Sequence, residues 1–273
     1  MYIVRKRGER AMRKLLFAVI LLGPVSASGQ SAFNGTWRAN NQSMEYQGSN
    51  QYWLQNGIWR CNTCVPKIAI KADGGEYRIN SSLYYGAPYA ETESVREVND
   101  HSIEITDKLG GKIVATNKLT TADDGKTLST DWKHISENGK ESGGKFDSER
   151  VGEAPAGANK VSGKWRPVRT NTSEDVITVT YRVTTDGLAM SDPTGDYFAA
   201  KFDGKEYPFK GDPGITSVSL KKIDENTIEE TDMFHGKVVT VCTMAVDQDG
   251  KRMKVRVDDK QRNTRITWTS DKL

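Results

Sequence analysis

Histidine and cysteine are scarce in this chain of 273 residues, three of each, and that scarcity limits its chemistry at once. A structural zinc site takes four such ligands. Here Cys61 and Cys64 are the one close pair, Cys242 stands apart, and His101, His134 and His235 fall in separate predicted hairpins, so no metal is expected. There is no Ser-His-Asp order and no phosphate loop, so no catalytic residue is named, no cofactor is expected, and a non-enzymatic role is favoured while catalysis stays open as an alternative. Helical periodicity is missing beyond residue 27, which leaves strands as the building units. Past Leu22 no apolar run approaches the ~20 residues that a membrane-spanning helix needs.

What is present begins with an export signal. A basic segment ends at Arg13-Lys14, the apolar run "LLFAVILL" covers Leu15 to Leu22, and the small residues "VSASGQ" follow, so cleavage is expected after Ala27, leaving a soluble periplasmic or extracellular protein. Met12 opens the more usual "MRKLLFAVILL" and is an alternative start. Residues 1–27 hold six of the 39 Lys and Arg and one of the 36 acids, so the remainder has 33 basic and 35 acidic residues and the formal charge of +3 becomes −2. The basic balance belongs to the leader and gives no reason to expect nucleic acid or an anionic membrane as a partner.

The rest of the chain is duplicated. "NGTWR" (Asn34 to Arg38) returns as "SGKWR" (Ser162 to Arg166), and His101 to Leu128 aligns without gaps on Asn226 to Met253, keeping Ile-Glu, Thr-Asp, Gly-Lys and Asp-Gly-Lys in one register. Between the copies "RVGEAPAGANK" reads as an Ala/Gly/Pro linker, which divides the chain into a signal (1–27), a first β domain (28–152), a linker (153–160) and a second β domain (161–273). Strand alternation is plain in "MKVRV" (Met253 to Val257) and "VITVTYRV" (Val176 to Val183). Asp124, Asp203 and Asp249 each precede a glycine and read as turn formers, as does Asp73. The expected fold is all-β: two tandem antiparallel meanders, each curled into a barrel.

Gly35-Thr36-Trp37 and Gly163-Lys164-Trp165 resemble the Gly-x-Trp opening motif of lipocalins and related calycin barrels. The resemblance implies that each Trp plugs the closed end of a barrel under a basic residue from the last strand, with Arg150 and Lys272 at the matching positions. "WRCNTCVP" followed by "ADG" makes the whole chain similar to a group of exported bacterial proteins with two tandem lipocalin-like repeats, a group without an established activity.

The Cys61-x-x-Cys64 pair has an internal control. Aligned without gaps, Asn56 to Tyr77 falls on Asp186 to Tyr207, Cys61 on Ser191 and Cys64 on Thr194, so a disulfide staples a bend that the second copy makes with Ser-Asp-Pro-Thr. Thiol redox chemistry is the alternative, although the low thiol pKa it needs usually comes from a helix N-terminus that is not expected here. Cys242 is placed on one face with Val238, Met244 and Val246 as a buried free thiol, His134 on the face of Trp132 as a barrel-end polar residue, and His235 in a solvated turn. Aromatic residues gather on polar, glycine-containing stretches of the first copy. Trp53, Trp59, Tyr84, Tyr85 and Tyr89, with Tyr46 and Tyr52, suit either a ligand lip or a cover for the barrel end and seam. The function expected is non-enzymatic binding of a small apolar or amphipathic ligand; the alternative is a structural or protein-interaction module of the cell envelope with filled barrels.

Overall fold

The computed structural model describes residues 32–79, 90–136, 139–212 and 214–273. Strands β1 (Gly35–Ala39) and β2 (Glu45–Gln47) lead into β3 (Asn50–Gln55), β4 (Ile58–Cys61), β5 (Ile68–Lys71), β6 (Asp73–Arg78), β7 (Thr92–Asn99), β8 (Ser102–Leu109), β9 (Lys112–Thr121), β10 (Thr127–Ile135), β11 (Glu141–Val151) and β12 (Gly163–Thr172). The second half follows as β13 (Thr178–Val183), β14 (Gly187–Ser191), β15 (Tyr197–Lys201), β16 (Tyr207–Lys210), β17 (Ser217–Lys222), β18 (Thr227–Phe234), β19 (Lys237–Val246), β20 (Arg252–Asp259) and β21 (Thr264–Lys272). Alternation places the core as expected: Met253, Val255 and Val257 are buried, whereas Lys254 and Arg256 between them are exposed.

The strands form two antiparallel barrel-like sheets. One runs β5-β4-β3-β12-β11-β10-β9-β8-β7-β6 and is nearly closed; the other takes β13 to β21 and is closed by β1, which pairs with both β13 and β21. The strand that heads each repeat therefore lies in the sheet made by the other repeat. Trp37 pairs with Val179 and Lys272, and Trp165 pairs with Arg150 and Asn50. The apolar cores divide in the same way, with Phe33 and Trp37 among the side chains of the second barrel and Val161 and Trp165 among those of the first. Residues 28–152 and 161–273 thus delimit the sequence repeats, and neither range contains a complete sheet.

Both Gly-x-Trp strands are built alike. Trp37 and Trp165 are fully buried, and their indole N–H groups donate to the carbonyls of Phe33 (2.9 Å) and Val161 (2.8 Å), four residues back. A cation covers each ring: Lys272 Nζ lies 5.0 Å from the Trp37 centroid and Arg150 Cζ 4.0 Å from that of Trp165. Lys272 also donates to Ala32 O and Arg150 to Lys160 O, at equivalent positions. The glycine of the motif has a steric cause. Gly35 and Gly163 have φ of +128° and +138°; a Cβ on Gly35 would stand 2.7 Å from Lys272 Cε, and one on Gly163 would collide with the Arg150 guanidinium.

The duplication extends to fine detail. The β8–β9 and β18–β19 pairs carry a bulge at Asp107/Lys108 and at Asp232/Met233, positions that the ungapped alignment superposes. Tyr77 donates to Asp73 and Tyr207 to Asp203, each acid also accepting the backbone N–H two residues on. Asp124 and Asp249 likewise form their turns, with Lys126 and Lys251.

Three expectations are corrected or refined. First, Cys61 does not superpose on Ser191: it pairs with Tyr52 and Ile68 as Met190 pairs with Tyr181 and Phe198. The shift arises because the loop after Met190 is one residue longer than the loop after Cys61, and one residue turns every side chain to the other face. Second, the 153–160 stretch that reads as a linker is also tied to its surroundings at its end, where Asn159 N donates to Leu54 O, Lys160 N to Asp100 O, and Arg150 holds Lys160 O and Ser162 O. Third, Val238 is exposed while Val239 is buried, because the bulge at Asp232/Met233 breaks the alternation before Cys242.

Candidate functional site

Inside the first barrel, a row of paired residues crosses five strands next to the β10–β11 hairpin. Glu93 pairs with Asp107, Asp107 with Ala115, Ala115 with His134, and His134 with Ser142. Directly opposed residues share a face of the sheet, with Cβ atoms about 5 Å apart. Glu93 and Asp107 are 6% and 9% exposed, so two carboxyl groups meet in a buried place. Burial raises both above the usual carboxylate range, and for Glu93 the Asp107 charge raises it further. Two like charges so close and so poorly solvated do not both ionise, and the pair retains a shared proton at neutral pH.

Aromatic rings flank this row. Trp59 is 1% exposed and stacks on Tyr52, centroids 5.3 Å apart. Its indole nitrogen lies beside Glu93 without a well-formed hydrogen bond. On the other side Trp132 and His134 rings touch at 4.7 Å, and burial lowers the His134 pKa to about 4, so the imidazole is neutral. Glu93 Oε1, Asp107 Oδ1 and Trp59 Nε1 are buried and have no well-formed partner beyond the contacts of Glu93 with Asp107 and Trp59; Asp232 Oδ1 in the second barrel is also unpartnered. Unsatisfied groups of this kind are rare in folded proteins and concentrate where a ligand, an ion or a function supplies the missing partner.

The second barrel treats the same acid differently. Asp232 occupies the Asp107 position, but the residue opposite is Thr240 in place of Ala115, and its hydroxyl donates to Asp232 Oδ2 at 2.6 Å. The Glu93 position is Val218, and the second acid comes instead from Glu230 on the same strand. Burial also raises Asp196 to about 8 and Asp212 to about 6, with the charges of Asp192 and Asp232 adding to both.

The sequence-selected residues separate in space. Trp59 points into the barrel; Trp53, opposite Arg60, faces outward; Tyr46 pairs with Ile266 on β2, at the edge of the second barrel; Tyr84, Tyr85 and Tyr89 lie outside the described residues. Cys61 and Cys64 form a disulfide (S–S 2.10 Å), and Cys61 is buried at the end of β4. Cys242 is a buried free thiol, pushed up by burial and by Glu230 and Asp232. Glu93 and Asp107 were not singled out in the sequence. Their signal was an acid on the buried phase of a strand, Ile103-x-Ile105-x-Asp107, repeated as Ile228-x-Glu230-x-Asp232. Among the described residues no helix is long and apolar enough to cross a membrane. Compared with protein-family models, curated proteins and solved structures, the chain matches none.

Proposed function

We propose that this chain is an exported, non-enzymatic binding protein for a small amphipathic molecule, held inside the first barrel. The observation that carries the reading is the row of buried Glu93 and Asp107 and half-buried His134 with Tyr52, Trp59 and Trp132 beside it, where acidic and aromatic side chains meet inside the barrel. The repeated Gly-x-Trp strands with their covering cations support a lipocalin-like pair of barrels, a type of scaffold suited to enclosing one small ligand. The disulfide supports a structural role for Cys61 and Cys64.

Native mass spectrometry of protein purified from the compartment of its own cell tests the reading. A stoichiometric small-molecule adduct that is lost on unfolding is expected. Bare protein mass in every preparation, together with co-purification of a second protein, would replace it with the protein-interaction module of the cell envelope.

A further inference from the structure

We infer that the ligand of the first barrel carries a protonated amine, seated between Glu93 and Asp107, with its hydrocarbon part against Trp59 and Tyr52. This rests on the binding reading above and specifies the ligand class. The geometry is asymmetric in a way that selects charge. Both acids project from directly paired positions into one buried place, where each has an oxygen with no partner other than the proton the pair shares. Across from Asp107 stands Ala115, whose methyl group offers no hydrogen bond, and beyond it His134. Two strand spacings, about 9.6 Å, separate the Asp107 and His134 backbones with only that methyl between them.

The second barrel is an internal comparison. There Thr240 fills the Ala115 position and donates to Asp232 Oδ2, while Asp232 Oδ1, like Asp107 Oδ1, has no partner. Opposite Asp107 the methyl group of Ala115 replaces that hydroxyl, so Asp107 lacks the cross-strand donor that Asp232 has.

An ammonium group suits the paired acids better than other donors. It brings up to three N–H bonds and the positive charge that lets both carboxyls ionise. The row Glu93, Asp107, Ala115, His134 and Ser142 contains no lysine or arginine to compete for the acids, and the neighbouring Lys108 is engaged with Glu76 on the outer face. His134 is neutral and does not repel a cation. Trp59, stacked on Tyr52, gives the ammonium or its adjoining methylenes an aromatic face. Among the described residues no set of three His, Cys, Asp or Glu side chains forms a metal-holding group, which favours an organic cation over a metal ion.

Binding should displace the shared proton. Glu93 and Asp107 are the acids that face each other, from β7 and β8; β6 contributes Tyr77, opposite Glu93 with its hydroxyl on Asp73, β9 uncharged Ala115, β10 the neutral His134, and β4 the Trp59 indole. Amine affinity therefore rises with pH as the pair titrates, Asp107 being raised to about 7, below the range where an alkylamine itself loses its proton.

The test uses the full-length chain and three probes of similar size: 2-phenylethylamine, 2-phenylethanol and 3-phenylpropionate. Calorimetry and the indole N–H resonance of Trp59, identified by its absence in Trp59→Phe, report binding. The amine is expected to bind at least about tenfold more tightly than the alcohol at pH 8, with the carboxylate weakest. Glu93→Gln and Asp107→Asn should each remove that preference. If either variant does not fold, Ala115→Thr, which copies the second barrel, should lower amine affinity by about tenfold while leaving the alcohol's unchanged. Equal binding of amine and alcohol, or tighter binding of the carboxylate, overturns the amine assignment and leaves the binding reading standing. No response to any probe at about 10 mM, far above ordinary small-ligand dissociation constants, also overturns the amine site; a co-purified adduct in native mass spectrometry then decides the binding reading separately.

Discussion

Arg262 Nε donates to the carbonyl of Thr63 at 2.9 Å, so the last hairpin of the chain holds the turn between Cys61 and Cys64. The same guanidinium reaches Asn50 Oδ1, and Thr63 Oγ1 accepts from Gln51 N. The disulfide thus shapes a turn on the first barrel that an arginine of the second barrel grips.

Replacing both Cys61 and Cys64 with Ser should lower stability by about 2 kcal/mol, the cost of opening so short a loop in the unfolded chain. Arg262→Ala should cost about 1.5–3 kcal/mol through loss of charge-assisted hydrogen bonds. Because the two changes meet at Thr63, their effects should be non-additive by about 0.5 kcal/mol or more in urea unfolding. Strict additivity would separate the staple from the grip.

Gly35→Ala and Gly163→Ala should each destabilise by about 1–3 kcal/mol, since left-handed φ is combined with a clash against the covering cation. Gly110→Ala is the control: φ is +57° but nothing lies within 4 Å of the added carbon. Its cost should be backbone strain alone, about 1 kcal/mol. Thermal melts of the three variants distinguish the contributions.

Cutting the chain by sheet gives a different outcome from cutting it by repeat. A fragment covering residues 48–172 contains all ten strands of the first barrel, including Trp165. It should fold, with dispersed amide resonances and a cooperative melt. A fragment covering 32–152 ends before β12, leaves the edges of β3 and β11 unpaired, and should remain unfolded or aggregate. Folding of the second fragment alone would refute the dependence on exchanged strands.

The difference between those fragments shows what the sequence could and could not convey. Alternation in β20 and the ungapped match of 101–128 to 226–253 specify faces and register, and even the bulges at Asp107 and Asp232 coincide. Which barrel a strand enters is another matter. β1 and β12 carry the same Gly-x-Trp pattern and present the same indole, so nothing local distinguishes the two destinations. At Cys61 the alignment followed the shared Lys-Asp-Gly and Glu-Tyr residues downstream, and a one-residue difference in the intervening loop moved the cysteine onto the wrong face. The candidate site was obscured for a related reason: aromatics attract attention in a sequence, whereas the acid of a Thr-Asp pair looks like surface until the neighbouring strand covers it.

Stability should fall as pH rises from about 4 to about 8. Asp196 and Asp212 are raised, to about 8 and about 6, by burial and by neighbouring acids, so the folded state binds more protons than the unfolded state across that window. The sign is the reverse for Asp258, which Arg265, Arg256 and Lys260 lower against the opposing effect of burial; its contribution is present above the unfolded carboxylate pKa and lost in acid. Asp196→Asn should raise the melting temperature at pH 8 and leave it nearly unchanged at pH 4. A higher melting temperature at pH 8 than at pH 5 in the unaltered protein would contradict this.

The placement of β1 also sets a timetable. Lys272 holds Ala32 across a separation of 240 residues, so β1, synthesised early, finds its seat only when β21 exists. Until then the second barrel has a vacant slot that any copy of β1 fits. The short tether through residues 40–49, which includes β2 and its pairing with β21, gives the chain's own strand an effective concentration in at least the millimolar range of a short link. Dilute chains therefore close on themselves, and chains crowded beyond that concentration close on one another.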